Sequence, residues 1–184
     1  MIAKISKWIL NVFGWRVEKE LDEFPPKYIV IVIPHTSNWD FPKGLLLRKA
    51  YHQDIKFAAK DSLFKWPLGP IMKALGGYPV NRRTTTNMTQ AIIDIFNSKE
   101  TFKLNIAPEG TRSKVDKLKT GFYYIAKGAN VPIIMTKFDY GNKVLTFSEP
   151  FYASDDMEAD FKKIDDYFEG VVGKHPEKSY RYGE

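Results

Sequence analysis

The chain has 184 residues, 28 basic against 22 acidic for a formal charge of +6, and no cysteine. That length suits one domain, and the missing thiol excludes a disulfide framework, a cysteine nucleophile and a thiolate metal site. With 43% hydrophobic and 27% charged residues the chain is globular rather than disordered, and its positive excess favours anionic partners.

Residues 1–20 read as an amphipathic helix. Ile2, Ile5, Ile9 and Val12 follow helical spacing, with Trp8, Phe13 and Trp15 beside them and Lys4, Lys7, Arg16 and Lys19 interspersed. Such a helix can lie in the headgroup layer of an anionic membrane, or it can pack on its own domain. No stretch approaches the roughly 20 apolar residues of a transmembrane span. Residues 21–184 form the domain proper. Pro25-Pro26 ends the first element. The apolar, β-branched run from Tyr28 to Ile33 then predicts a strand buried on both faces.

Pro34 closes that strand. Asp40, with Pro42 following, predicts the start of a helix. Short strands are expected at 55–59 and 78–80, separated by a helix interrupted around Pro67, Gly69 and Pro70. A helix from about Asn87, a strand at 102–106, a helix at 121–127 and strands at 131–138 and 144–147 follow. An acidic helix begins near Asp155. Strands alternate with helices, which predicts a single α/β domain with a largely parallel central sheet flanked by helices. The last ten residues have little apolar content and are expected to be loosely held.

Two loops that follow buried strands carry candidate chemistry, as the carboxyl ends of strands do in such folds. In Pro34-His35-Thr36-Ser37-Asn38-Trp39-Asp40, the four intervening residues let the Asp40 carboxylate turn back to one imidazole nitrogen. The other nitrogen is then free to accept a proton. A plain helix cap and a loop histidine fit the same residues. In Ala107-Pro108-Glu109-Gly110-Thr111-Arg112-Ser113, Gly110 permits close backbone approach and Arg112 offers a fork suited to phosphate. The alternative there is an Arg112–Glu109 ion pair. A third segment, Gly76 to Arg83, adds Arg82 and Arg83, with Lys60 upstream at a strand end.

In this order the blocks resemble the glycerolipid acyltransferase family, of the 1-acylglycerol-3-phosphate acyltransferase-like, His-x4-Asp type. The matching residues are His35 to Asp40, Gly77 to Arg82, Pro108 to Ser113 and Val131-Pro132-Ile133-Ile134. Lys60, Leu63, Pro67 and Gly69 match the stretch before the second block. The resemblance spans roughly residues 28–138. It departs from the family pattern at Pro34, at Ala107 and at Tyr78, Pro79 and Asn81.

The resemblance implies a catalytic pair in which His35 deprotonates the acceptor hydroxyl and Asp40 orients and stabilises it. It also implies that Lys60, Arg82, Glu109, Gly110, Thr111 and Arg112 hold a phosphate-bearing acceptor, and that Pro132 lies near the acyl site. The donor would be acyl-CoA or acyl-ACP (acyl carrier protein) as co-substrate, with no metal and no other cofactor. The acceptor expected is a lysophospholipid, foremost 1-acyl-sn-glycerol-3-phosphate. The alternatives are a sister acyltransferase taking another lyso-lipid or an amino-acid-derived lipid, and a non-catalytic module that binds anionic lipid. An anionic membrane surface is the expected partner, with the protein peripheral on the inner, cytoplasmic face. Nucleic acid is not an expected partner, because the basic residues form no stripe and no binding motif.

Overall fold

The central strand is β2 (Lys27–Ile33), in which six consecutive residues are buried. Its side chains alternate between two packed layers, as strand geometry requires. Ile29, Ile31 and Ile33 point into one apolar core, and Tyr28, Val30 and Val32 into the other. A strand covered on both faces must be flanked on both edges, and β2 pairs in parallel with β5 (Phe102–Ile106) and β6 (Ile133–Asp139). Around these lie β1 (Arg16–Lys19), β3 (Ile55–Lys60), β4 (Gly77–Val80) and β7 (Val144–Phe147). The order across the sheet is β1-β7-β6-β2-β5-β3-β4. Of the strand pairs among the described residues, β6–β7 alone is antiparallel. The structure, a computed structural model, describes residues 1–80 and 85–180; of residues 59, 60, 80 and 85–87 it describes the backbone alone.

Helices cover both faces. α1 (Ile2–Val12) and α2 (Asp40–Ala50) contribute Leu10 and Leu47 to one core, beside Tyr28, Val30 and Phe147. α4 (Thr85–Asn97), α5 (Gly121–Ala129) and α6 (Met157–Phe168) contribute Ile92, Phe122 and Phe168 to the other. The short α3 (Gly69–Ala74) joins β3 to β4. The α/β class and the flanked, largely parallel sheet agree with the sequence reading.

The first twenty residues differ from the helix expected of them. α1 ends at Val12, Gly14 takes a positive φ of 76°, and Arg16–Lys19 form edge strand β1 beside β7. The reason is packing. Trp15 is buried against Tyr140 in an edge-to-face contact, 4.9 Å between ring centroids, and the chain must reverse at Gly14 to place it there.

The C-terminal region differs too. Of the ten residues expected to be loose, 175–180 are held and 181–184 lie outside the described residues; with 171–174 the held part forms a strap across the carboxyl end of the sheet. Tyr140 N–H donates to the Val172 carbonyl at 2.8 Å, and His175 N–H donates to Thr36 Oγ1 at 3.2 Å. Val171 and Tyr180 are buried.

Candidate active site

The loop between β2 and α2 carries His35 to the carboxyl end of the sheet. Asp40 is the first residue of α2, and its side chain does not cap the helix. The carboxylate turns back instead. Its Oδ2 lies 2.9 Å from His35 Nδ1 and accepts the Ser37 N–H at 3.1 Å, while its Oδ1 accepts the Tyr140 hydroxyl at 2.5 Å. Asp40 is only 3% exposed, so an unpartnered charge there would be costly. Three partners meet that cost. Burial, then the hydrogen bond to Asp40 and its charge, hold the Tyr140 hydroxyl well above its ordinary pKa. It therefore stays protonated and donates. Lys43 Nζ in turn donates to Tyr140 Oη at 3.2 Å and sits over the Trp15 and Tyr140 rings. Burial lowers the Lys43 pKa, Asp40 opposes that, and nearby Lys174 lowers it further.

This geometry fixes the imidazole. A carboxylate facing Nδ1 calls for a proton on Nδ1, which leaves the Nε2 lone pair free. The His35 side chain is 23% exposed and lines a cleft of about 1330 Å³. That exceeds the roughly 300–1,000 Å³ of drug-sized sites and leaves room for a long chain. Its apolar walls include Val30, Val32, Leu47, Phe138 and Phe147 on the α2 side of the sheet and Ile92, Leu118, Phe122 and Ile125 on the other.

The loop after β5 comes to the same place. Gly110, at φ 67°, Thr111 and Arg112 are exposed and line the cleft with His35. Arg112 makes no ion pair with Glu109. Glu109 faces inward, 2% exposed, and its Oε2 accepts the His35 backbone N–H at 2.6 Å. It thus braces the histidine loop from behind and is not among the residues lining the cleft. Burial pushes its carboxyl up to about 7, against the lowering effect of the His35 N–H, the His35 ring and the Tyr180 N–H, and with a small further rise from Asp40.

Three further expected residues lie outside the cleft's described lining. Lys60 ends β3, its backbone beside Val80, and its side chain lies outside the described residues, as does Arg82. Pro132 is remote from the cleft. It stands at the opposite end of β6 from the histidine loop, where its carbonyl accepts the Ile29 N–H at 2.9 Å. The strand reaches the cleft through Thr136 and Phe138. Tyr140 and Lys43 were not among the residues singled out from sequence. An aromatic hydroxyl just past a buried strand was the only local sign of the first.

The raised Glu109 carboxyl has a consequence for stability. An acid whose folded pKa exceeds its unfolded value binds its proton more tightly in the folded state. The Glu109 contribution to stability therefore falls as pH rises from about 4.5 to about 7 and is constant above that. Glu109→Gln keeps an acceptor for the His35 N–H and removes the titration. Across that window the variant should gain about 3 kcal/mol on wild type, measured by denaturant unfolding at stepped pH. Stability curves that stay parallel would contradict the assignment.

Known proteins place this arrangement. The family model described as Acyltransferase matches residues 16–136. The chain is 29% identical over 147 residues to human 1-acyl-sn-glycerol-3-phosphate acyltransferase beta, a match covering 77% of this chain and 51% of the relative, so the chain spans about half that relative's length. Its fold is similar to that of the 1-acyl-sn-glycerophosphate (LPA) acyltransferase PlsC from Thermotoga maritima, with a TM-score of 0.61 and 20% identity over 90% of this chain and 74% of that one. Those 121 matched residues include both loops, the five strands β1 to β5 and the start of β6, and the chain belongs to the acyltransferase family.

Proposed function

We propose that the protein transfers a fatty acyl group from an acyl thioester to the free hydroxyl of a lysophospholipid, foremost 1-acyl-sn-glycerol-3-phosphate, giving phosphatidic acid. The observation that carries this is the His35 Nδ1–Asp40 Oδ2 contact at the mouth of a long apolar cleft. His35 Nε2 accepts the acceptor's hydroxyl proton as the oxygen attacks the thioester carbonyl carbon. Asp40 stabilises the imidazolium that forms. The tetrahedral intermediate expels the thiolate, the C–S bond breaks, and the imidazolium returns the proton to sulfur. The acyl chain lies along the cleft's apolar walls, where burial of each methylene contributes about 0.8 kcal/mol. Arg112 holds the acceptor's phosphate from the rim.

Coenzyme A or acyl carrier protein carries the donor, and no metal or further cofactor enters the reaction. An acyl-transfer assay with both thioester donors and a panel of lyso-acceptors tests this reading. His35→Ala should lower the rate by about 10²–10⁴. Arg112→Ala should impair phosphate-bearing acceptors far more than uncharged ones. Absence of transfer by wild type, or full rate in His35→Ala, would refute the mechanism.

The same proposal places the protein peripherally on the anionic, cytoplasmic face of a membrane. Among the described residues no helix is long and apolar enough to cross one. α1 buries Leu10 yet leaves Ile2, Trp8 and Val12 exposed, with Phe13 just beyond its end. Trp66, at 88% exposure, Leu68 and Ile71 project around α3. Tryptophan and aliphatic side chains of this kind suit the headgroup boundary. Removal of residues 1–20 would also strip Leu10 and Trp15 from the core, so point substitutions make the better test. Trp8→Ser with Phe13→Ser should weaken co-sedimentation with vesicles containing anionic lipid; unchanged binding by the folded double variant would contradict the role of α1.

A further inference from the structure

Beside the cleft, the described residues gather three cations that no acidic side chain neutralises. Arg112 from the loop after β5, with Lys174 and Lys178 from the C-terminal strap, lines a recess of about 360 Å³. None of the three side chains closes an ion pair among the described residues. Among the described residues no acidic side chain lines the recess. His175, which also lines it, has its Nδ1 3.6 Å from Glu177 Oε1. Like charges held round one concavity repel, and an anion bound between them reverses the sign of that interaction.

The strap is built to hold its lysines there. Val172 and His175 are tied on either side of Lys174, the first to the Tyr140 N–H and the second to Thr36 Oγ1. Between them, Gly173 packs so closely on the histidine loop that a Cβ would lie 2.8 Å from Thr36 Oγ1 and 3.1 Å from Pro34 Cγ. Lys174 Nζ is placed 5.0 Å from the centre of the Trp39 ring, above the start of α2. The recess shares Ser37, Asn38 and Arg112 with the cleft that His35 lines. A group bound in it therefore stands beside the reacting hydroxyl.

We propose that the C-terminal strap completes a subsite for a phosphate monoester, with Lys174 and Lys178 joining Arg112 around the anion. A monoester carries close to two negative charges at neutral pH and gains more from three cations than a diester, which carries one. The recess thus selects for a terminal phosphate over zwitterionic or uncharged groups. Two molecules in the proposed reaction supply such a phosphate: the headgroup of the acceptor and the 3′-phosphate of coenzyme A. The identity of the source rests on the acyl-transfer reading; the subsite does not.

Equilibrium binding to the full chain tests it, with glycerol 3-phosphate against glycerol and coenzyme A against 3′-dephospho-coenzyme A as probes. Wild type should bind at least one phosphorylated probe more tightly than its partner. Lys174→Glu with Lys178→Glu should reduce that preference by about tenfold or more. Lys174→Gln with Lys178→Gln repeats the test with smaller electrostatic disturbance if the reversed pair fails to fold. Loss confined to glycerol 3-phosphate assigns the headgroup, and loss confined to coenzyme A assigns the donor. Equal binding of phosphorylated and unphosphorylated probes by wild type, or an undiminished preference in the variants, overturns the proposal. Acyl transfer measured on the same samples separates the two claims: binding lost in the variants with no transfer by wild type would remove the activity and leave the subsite standing.

Discussion

The Asp40 carboxylate is taken out of water and left ionisable beside a histidine. The effective cost of burying such a charge is several kcal/mol even after relaxation, and the fold supplies its compensation from separate parts of the chain. The Ser37 N–H comes from the loop's own turn, the Tyr140 hydroxyl from the end of β6, and the imidazole of His35 from the end of β2. These groups meet only because β2 and β6 are neighbours in register, Ile33 opposite Lys137. The sheet order is therefore a requirement of the site as much as of the core.

Around that contact the structure adds further supports. Glu109 accepts the His35 backbone N–H from below, and Lys43 donates to the Tyr140 hydroxyl from the side. The strap then clamps the histidine loop through Thr36 and Gly173 and reaches Tyr140 through Val172. Tyr140 thus links the proton-transfer pair to the strap that carries Lys174. A loop held from three directions keeps its rotamers, and such positioning is where much of the rate of a two-substrate reaction originates.

The parts of this arrangement that are local in the chain were legible in the sequence. Tyr28 to Ile33 announce a doubly buried strand, and His35 and Asp40 lie five apart in the loop that follows it. The ordered blocks from His35 to Ser113 carry the family resemblance. What depends on distant contacts was not legible. Tyr140 lies 100 residues from Asp40, and no periodicity relates them. β1 was absorbed into a helical reading because Arg16 and Lys19 continue the basic spacing of α1, whereas the burial of Trp15 forces the turn. The part of the strap from His175 on was read as loose because it offers little apolar surface; the strap is held instead by backbone hydrogen bonds and close glycine packing. Glu109 was grouped with its exposed neighbours, since nothing in Pro-Glu-Gly-Thr-Arg says which side chain turns inward.

The central claim is that Asp40 sets the tautomer of His35, so that Nε2 can take a proton. Nitrogen-15 NMR of the imidazole above neutral pH reads this directly, with Asp40→Asn for comparison. The proton should reside on Nδ1 and Nε2 should show the shift of an unprotonated nitrogen, and Asp40→Asn should disturb that pattern. A His35 that carries its proton on Nε2 in the wild-type protein, or whose spectrum is the same in Asp40→Asn, would contradict it.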